Sequence, residues 1–463
     1  MKTEGVHTLI LGSGPAGLAA AYRLAKAGVA PIVLEKSHMA GGLMRSIQRG
    51  AFSVDLGRKE LYSRIPDVDH FWTRLLGDAY RPYPHRVGVL YHKRIFELER
   101  KYRGFRRGVP WPSFFSGVLD YLWCAIKFRM RAPHNYEEYC YRRRGQQFTR
   151  MFAQGFDEKF RGTRWAEMPP EVAVGVKQAP LATVAFAQGT PITTKHTTHW
   201  RHPAKGSGQI SQLLEQHIRE AGGSFQLGAQ VSEIYVSDGR ITHVHVETEN
   251  EKLVFEPQHV VSSLPLEALG EFILRNALGT GPQDVTGTAP VRRSTILVYL
   301  FSAVPPRFPH AWLHVTCPTT RIGRITNYAM FGGEMVPKGQ TCLCVEFFCA
   351  GSDPLLELDA EALHAQALEE CAKFGLVVPA TCFDHLVLKL LGVDAATTWR
   401  DWLTDTRRQL LTAIQGIENL YNVNRPGTDK ATYAGLQAAE AILTGDRIAF
   451  DLRTDPLSGG FLE

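Results

Sequence analysis

Along the first 35 residues the chain changes from one hydrophobic rhythm to another. Thr8 to Leu11 is an apolar run of the kind expected for a strand buried on both faces. Ala16 to Ala27 is rich in good helix formers and is stopped by Gly28, and Ile32 to Glu35 is strand-like again. Further on, Gln209 to Ala221 places Ile210, Leu213, Leu214 and Ile218 on one helical face and ends at Gly222-Gly223. Four short strand patterns follow, over 229–236, 241–247, 252–256 and 259–265, with Asp238-Gly239 as a hairpin turn. A second group of strand patterns covers 294–301, 321–331 and 341–349, and 359–374 reads as a helix. The segment from 81 to 204 reads as mostly helical, from the spacing over 136–160 and the Pro169-Pro170 break. The chain closes on a strand near 417–423, a loop, and a small-residue helix over 432–443. This alternation predicts an α/β protein, and 463 residues call for more than one core.

The first turn carries candidate chemistry. Gly12, Gly14 and Gly17 form G-x-G-x-x-G directly after the strand, and Pro15 and Ala16 open the helix. Gly12 permits the tight turn, Gly14 lets a pyrophosphate approach the backbone, and Gly17 lets helix and strand pack closely. The unpaired N–H groups of the first helical turn, with roughly half a positive charge, face the phosphates. Glu35, ending the second strand, is placed to bind ribose hydroxyls. Strand, helix, second strand and acid stand in register, so the motif reads as a dinucleotide site rather than a lone turn. Lys36, Gly41, Gly42, Leu43 and Arg45 extend it, the paired glycines bringing backbone close to a diphosphate and Arg45 able to pair with it.

Charge and cysteine usage narrow the classes. The formal charge is +6, yet Arg81 to Arg164 holds 19 Lys and Arg against 7 Asp and Glu, so that segment alone is +12 and the remainder −6. Within it, 113–128 is an apolar, helix-like run with Trp111 and Trp123, interrupted by Asp120 and shorter than the roughly 20 residues that span a bilayer. Three readings stand: a solvated face with a buried aromatic side, a funnel for an anionic substrate, and an interfacial face for anionic lipid. No recognised nucleic-acid module accompanies the charge, so nucleic acid is not an expected partner. Cys342, Cys344 and Cys349 alternate along a strand and read as buried thiols, not metal ligands. The histidines of His196 to His202 lack the spacing of a zinc pair, and no metal site is expected. Sparse cysteines, and a first strand with no secretory leader ahead of it, predict a cytoplasmic protein, with peripheral membrane contact through 81–164 as one reading.

With Gly12, Gly14, Gly17, Glu35, Gly41, Gly42 and Ser46 in place, the sequence resembles the flavin-dependent amine oxidase and protoporphyrinogen oxidase-like superfamily. That superfamily includes phytoene desaturases and, more distantly, UDP-galactopyranose mutases. Phe52 to Gly57, Ile65 to Val68, 72–77 and 136–165 are similar to its bacterial protoporphyrinogen oxidase-like subgroup. The resemblance implies FAD, and no cysteine lies in the closing segment to hold it through a thioether. It implies a Rossmann-like two-part FAD-binding domain interleaved with an α+β substrate-binding lobe. The FAD-binding parts would be 1–80, 205–269 and 396–463. The lobe would be a mostly helical 81–204 and a sheet and helix over 270–395.

The resemblance also implies roles. Val231 would meet the adenine through its backbone, while Gly427, Asp429, Thr432 and Gly435 fall in the final flavin-binding motif, where Asn422 replaces the usual glycine after the strand. Gly57 lies in a turn that the superfamily places near the isoalloxazine. There the usual Gly-His-Arg is replaced by Arg58-Lys59-Glu60. Arg58 and Lys59 either face the flavin and stabilise its reduced form or cap the turn. His199, Arg201 and Tyr328 complete the catalytic candidates, and Asn327 and Glu346 are further polar residues within strands. The implied activity is an FAD-dependent oxidoreductase oxidising or desaturating a small organic substrate by hydride transfer to flavin N5. Two rivals stand beside it: a flavin-dependent isomerase or mutase of a sugar nucleotide, which the basic segment would suit, and a non-enzymatic binding protein of the same fold. Prenyl-binding GTPase regulators of that last kind lose the dinucleotide fingerprint that this chain keeps.

Overall fold

The opening pattern folds as its glycines require. Lys2–Leu11 (β1) runs into Gly12, whose φ of +94° suits glycine alone, and Pro15–Lys26 (α1) follows with its proline in the first turn. Ile32–Glu35 (β2) returns parallel to β1, Leu9 beside Ile32. Leu9, Ile10 and Leu11 are fully buried, which is why this strand reads as an unbroken apolar run. The computed structural model describes residues 2–59, 61–97, 109–128, 131–170, 200–277, 293–392, 411–412 and 414–454.

After a hairpin of Ser46–Arg49 (β3) and Phe52–Asp55 (β4) come Pro66–Leu76 (α2) and the short strand Tyr80–Pro82 (β5). Val87–Tyr91 (β6) and Arg94–Glu97 (β7) form a second hairpin. The helices Trp111–Lys127 (α3), Tyr136–Arg144 (α4), Gln146–Thr149 (α5) and Gly155–Arg161 (α6) follow. Arg201–Pro203 (β8) then pairs antiparallel with β5, so the entry and exit of this long excursion are tied side by side. Gly208–Glu220 (α7) leads to Ser224–Leu227 (β9), Gln230–Ser237 (β10), Arg240–Glu247 (β11) and Lys252–Ser262 (β12), then Leu266–Ala277 (α8). Arg293–Ser302 (β13), Trp312–Val315 (β14), Ile322–Asn327 (β15) and Thr341–Ala350 (β16) precede Ala360–Lys373 (α9) and Cys382–Leu390 (β17). Leu420–Asn422 (β18), Thr428–Thr444 (α10) and Arg447–Thr454 (α11) close the described chain.

Two seven-stranded sheets result. The first has the order β10-β11-β12-β1-β2-β9 with β18 beside β12, and its central strands are parallel. The second, β17-β13-β16-β15-β14-β6-β7, is almost wholly antiparallel. One core lies between the first sheet and α1, α2, α7 and α10, a second on that sheet's other face against α8, and two more flank the second sheet.

Three patterns differ from expectation. The 81–204 segment is not helical from its start, because β6 and β7 extend the second sheet through β14. A short β-branched run turned by His92, at φ +53°, was hidden among surrounding charges. The patterns 252–256 and 259–265 form one strand, β12. Pro257 is tolerated because pairing with β11 ends at Phe255, so one edge there needs no donor. Tyr328 to Phe331, expected as strand, is a 3-10 turn after β15. The Asp238-Gly239 hairpin is as expected, both residues having positive φ.

Helix α10 rests directly on α1. A Cβ on Gly435 would overlap the Ala16 carbonyl oxygen, and one on Gly17 would overlap that of Gly12. Gly435→Leu is therefore expected to force these helices apart and cost about 1–3 kcal/mol or more. Thermal melting should show it as a lowered Tm, and an unchanged Tm would refute the close-packing account.

Candidate functional site

The carboxyl ends of β1, β2, β12 and β18 meet at the N-termini of α1 and α10. Gly14 caps α1 without any side-chain hydrogen bond, and a Cβ on it would meet nothing within 4 Å. The backbone at Gly14 is thus open to the close approach that a dinucleotide diphosphate needs. Gly41, at φ +115°, donates from its amide to the Ser13 carbonyl at 2.9 Å, and a Cβ on Gly42 would stand 3.2 Å from the Gly14 Cα. The two glycine turns are packed on each other, and a side chain at Gly41 or Gly42 would be strained and crowded there. The Ser211 hydroxyl, buried next to Gly41, has no partner among the described residues. Leu43 and Lys36 are exposed at the rim, and Arg45 donates from Nε to the Gly42 carbonyl at 2.9 Å.

Glu35 is more constrained than its sequence position suggests. One carboxylate oxygen accepts from the Ser13 amide at 3.1 Å and hydroxyl at 2.6 Å, the other from the Ser37 amide and hydroxyl, both at 2.9 Å. Burial alone would raise its pKa, but these donors outweigh burial and hold it below the usual carboxylate range. Glu35 therefore ties the glycine turn to the end of β2, and any ribose hydroxyl would share this carboxylate with Ser13 and Ser37. Sequence reasoning missed both serines. Val231 sits in β10 opposite Val246, two residues after Ala229, whose amide donates to the Glu35 carbonyl at 2.9 Å.

At the other end of this crevice, Gly427 caps α10 at φ +89°, and Asp429 lies in its first turn. Asp429 is raised by burial, and it accepts from the Ser63 hydroxyl at 3.4 Å, which links α10 to the loop after Gly57. Thr432 is buried, its hydroxyl donating to the Thr428 carbonyl.

The turn over Gly57 to Lys59 packs on the second sheet, against Leu297 and Glu346. The Tyr299 and Tyr328 hydroxyls stand 2.7 and 2.6 Å from the Asp55 carbonyl, and the Tyr328 hydroxyl is 2.9 Å from the Gly57 carbonyl. The Arg58 amide donates to Glu346 at 3.1 Å, while Arg324 pairs with both oxygens of Glu346 at 2.9 and 2.7 Å. Lys59 is half-buried, donates to the Leu56 carbonyl at 2.7 Å, and has its pKa lowered by burial. The Arg58 guanidinium lies over Trp312 at 4.8 Å, beside the His85–Trp200 stack and Tyr62. A cationic turn is thus walled by aromatic rings.

The other sequence candidates separate. Arg201 pairs with Asp69 at 2.6 Å and covers the Tyr80 ring at 4.1 Å, so it is engaged as a clamp on α2 and β5. His199 lies outside the described residues. Its neighbour His202, which sequence reasoning passed over, is buried with Nε2 at 3.0 Å from Asp55 Oδ2. Asp55 Oδ1 also accepts from the Ser46 hydroxyl at 2.6 Å and the Ser207 amide at 2.8 Å. The Asn327 amide donates to the Phe308 carbonyl and is fully buried. Cys342, Cys344 and Cys349 are buried free thiols. Elsewhere Glu361, His364 and His385 gather at the surface, but the two imidazoles are stacked at 3.8 Å and nearly parallel, so their in-plane lone pairs do not converge on one ion.

Comparison with known proteins now bears on this geometry. The model of the family described as flavin containing amine oxidoreductase matches residues 15–386, more than half of the chain. A zeta-carotene-forming phytoene desaturase of Myxococcus xanthus is 27% identical over 281 residues, 53% of this chain and 51% of that protein. A 1-hydroxycarotenoid 3,4-desaturase of Flavobacterium sp. (strain P99-3) is 43% identical over 70 residues, 13% of this chain and 14% of that protein. The chain thus spans about half the length, or less, of these curated relatives. Among solved structures, a reduced UDP-galactopyranose mutase superposes with a TM-score of 0.71 over 97% of this chain and 98% of that one, at 17% identity, which shows a shared fold.

Two outcomes follow. Glu35→Gln places an amide NH2 against the Ser13 and Ser37 donors and is expected to cost about 1.5–3 kcal/mol. Flavin titration of the variant should give a Kd raised about tenfold or more, since 1.4 kcal/mol is tenfold in binding; an unchanged Kd would refute the assignment. Asp55 responds to acid. Burial would raise its pKa, but His202, Ser46 and Ser207 hold it below the usual range. A depressed folded pKa stabilises the protein above the unfolded value of about 3.9, and that contribution is lost as pH falls through the folded value. Asp55→Ala strands His202 and should cost about 3–5 kcal/mol at neutral pH. Urea denaturation from pH 7 to 3 should show the wild-type advantage shrinking below about pH 4.

Proposed function

This chain belongs to the flavin containing amine oxidoreductase family, and from that premise we propose that it removes hydride from a carbon of an apolar organic substrate at the Gly57–Lys59 turn. It is a flavin-dependent oxidoreductase with FAD as cofactor. The observation that carries the finer reading is the half-buried turn whose Arg58 guanidinium is walled by Trp200, Trp312, His85 and Tyr62. Aromatic walls favour an unsaturated or ring-bearing substrate, which they can hold by stacking and burial. The desaturase relatives support the same substrate class without fixing its identity.

Gly12, Gly14 and the start of α1 would hold the FAD diphosphate, with Gly42 and Arg45 beside it. Glu35 would hold a ribose, the backbone near Val231 the adenine, and Gly427 to Thr432 the other end of the cofactor. Bound FAD supplies a two-electron acceptor at N5. The residues of the chain orient and shield. Tyr299 and Tyr328 fix the Asp55–Gly57 backbone, Glu346 fixes Arg58 through its amide, and the aromatic wall excludes water. Lys59 Nζ, tethered to the Leu56 carbonyl and with its pKa lowered by burial, would stand at the turn as a hydrogen-bond donor. The mutase reading draws support from the shared fold alone.

Anaerobic mixing of flavin-loaded protein with apolar, unsaturated substrates should bleach the flavin absorbance in proportion to product. Turnover that requires prior flavin reduction and consumes no oxidant would overturn the proposal in favour of isomerisation. Lys59→Met should slow that bleaching by roughly 10²-fold at unchanged flavin content. A lowered Tm with an unchanged bleaching rate would make Lys59 a cap of the turn.

A further inference from the structure

Helix α3 is amphipathic the wrong way round for a water-soluble surface. Its protein-facing side holds Phe114, packed against Phe96, Val109 and Met151, and otherwise small or polar residues: a Cβ on Gly117 would overlap the Phe148 ring, Asp120 accepts from the Gln147 amide at 2.8 Å, and Cys124 is buried beside Asp120. Ser116 adds a hydrogen bond to the Gln147 side chain at 2.9 Å. The opposite side carries Trp111, Phe115, Leu119, Leu122, Trp123 and Ile126. These are 50–68% exposed among the described residues. They recur at helical spacing, so they form one contiguous face along the helix. Of the 13 large hydrophobic residues exposed among the described residues, these six share a single helix. Scattered exposed apolar residues need no explanation, but a contiguous face does.

The surroundings select the occupant. Lys127 ends α3 and is exposed, Arg131 follows it, and Arg142, Arg143 and Arg144 end α4, against which α3 packs. The whole of 81–164 has an excess of 12 positive charges, against an excess of six negative charges elsewhere. A protein partner or second copy of this chain would need to match that charge, whereas an anionic bilayer supplies both an apolar interior and a negative surface. Tryptophans at both ends of the apolar face suit the headgroup boundary. No helix among the described residues is long and apolar enough to cross a membrane, so α3 would lie in the interface rather than span it.

We propose that α3 is a membrane-docking helix that inserts its Trp111–Ile126 face into the surface of an anionic lipid bilayer. The inference stands on this face and its charges and does not depend on the substrate proposed above.

Flavin-loaded, full-length protein is co-sedimented with vesicles of phosphatidylcholine alone and of phosphatidylcholine with 40% phosphatidylglycerol, alongside Leu119→Glu/Trp123→Glu. The wild type should bind the anionic vesicles at least tenfold more tightly than the neutral ones, with a blue shift of tryptophan emission. The double variant should lose at least tenfold in binding while keeping flavin content and Tm. A wild type that stays in the supernatant, or a variant that binds as well as wild type, overturns the proposal. So does equal binding to both vesicle types. Concentration-dependent self-association abolished by the double variant, without vesicle binding, would assign the face to a second copy.

Discussion

Asp55 is the residue on which the three parts of the molecule converge. Its carboxylate gathers Ser46 from β3, His202 from the returning end of the long excursion, and Ser207 from the start of α7. Its carbonyl receives Tyr299 and Tyr328 from the second sheet. A buried carboxylate is costly unless every lone pair is used, and here nearly all are. The same economy of position explains why Gly57 follows so closely. A Cβ there would press on Leu297 and Glu346 at 3.3–3.4 Å, and a φ of +70° adds strain for any other residue. The turn that would face a bound flavin is therefore held by the network that ties the β3–β4 hairpin and the start of α7 to the second sheet, and a change in one is felt in the other.

The nucleotide half was legible because its chemistry is local. Gly12, Gly14, Gly17 and Glu35 lie within 24 residues, and each has a role set by backbone geometry that few other residues can fill. The hairpin at Asp238-Gly239 and the helix over 208–220 were legible for the same reason: a turn type and an apolar stripe are written in adjacent residues. The second sheet was legible as strands but not as a sheet. Its strand order brings β6, from early in the chain, against β14 more than 200 residues later, a pairing that no local pattern encodes.

The site showed the same division. Serines are poor signals in a sequence, yet Ser13 and Ser37 supply all four donors to Glu35. His202 was hidden among nearby histidines, and only its burial against Asp55 distinguishes it. Arg201 carried the right charge for a substrate role, but Asp69 lies 132 residues away in sequence and claims it. Residue type indicates what chemistry a position can do; long-range packing decides whether it is free to do it.

Helix α3 inverts the rule by which most of this fold can be read. An aromatic side turned inward was one of three readings open to the sequence, because apolar stripes usually face a core. Here the core side is taken by Phe148, which leaves room opposite only for a glycine, and by Asp120, which must reach the Gln147 amide. With those two contacts satisfied, the helix has a single rotation, and it presents its tryptophans outward. Water alone gives no reason for such an arrangement, since turning the apolar face inward would bury far more surface. On the docking proposal the outer face is matched by lipid, while the inner face keeps Phe114, Gly117 and Asp120 for the protein.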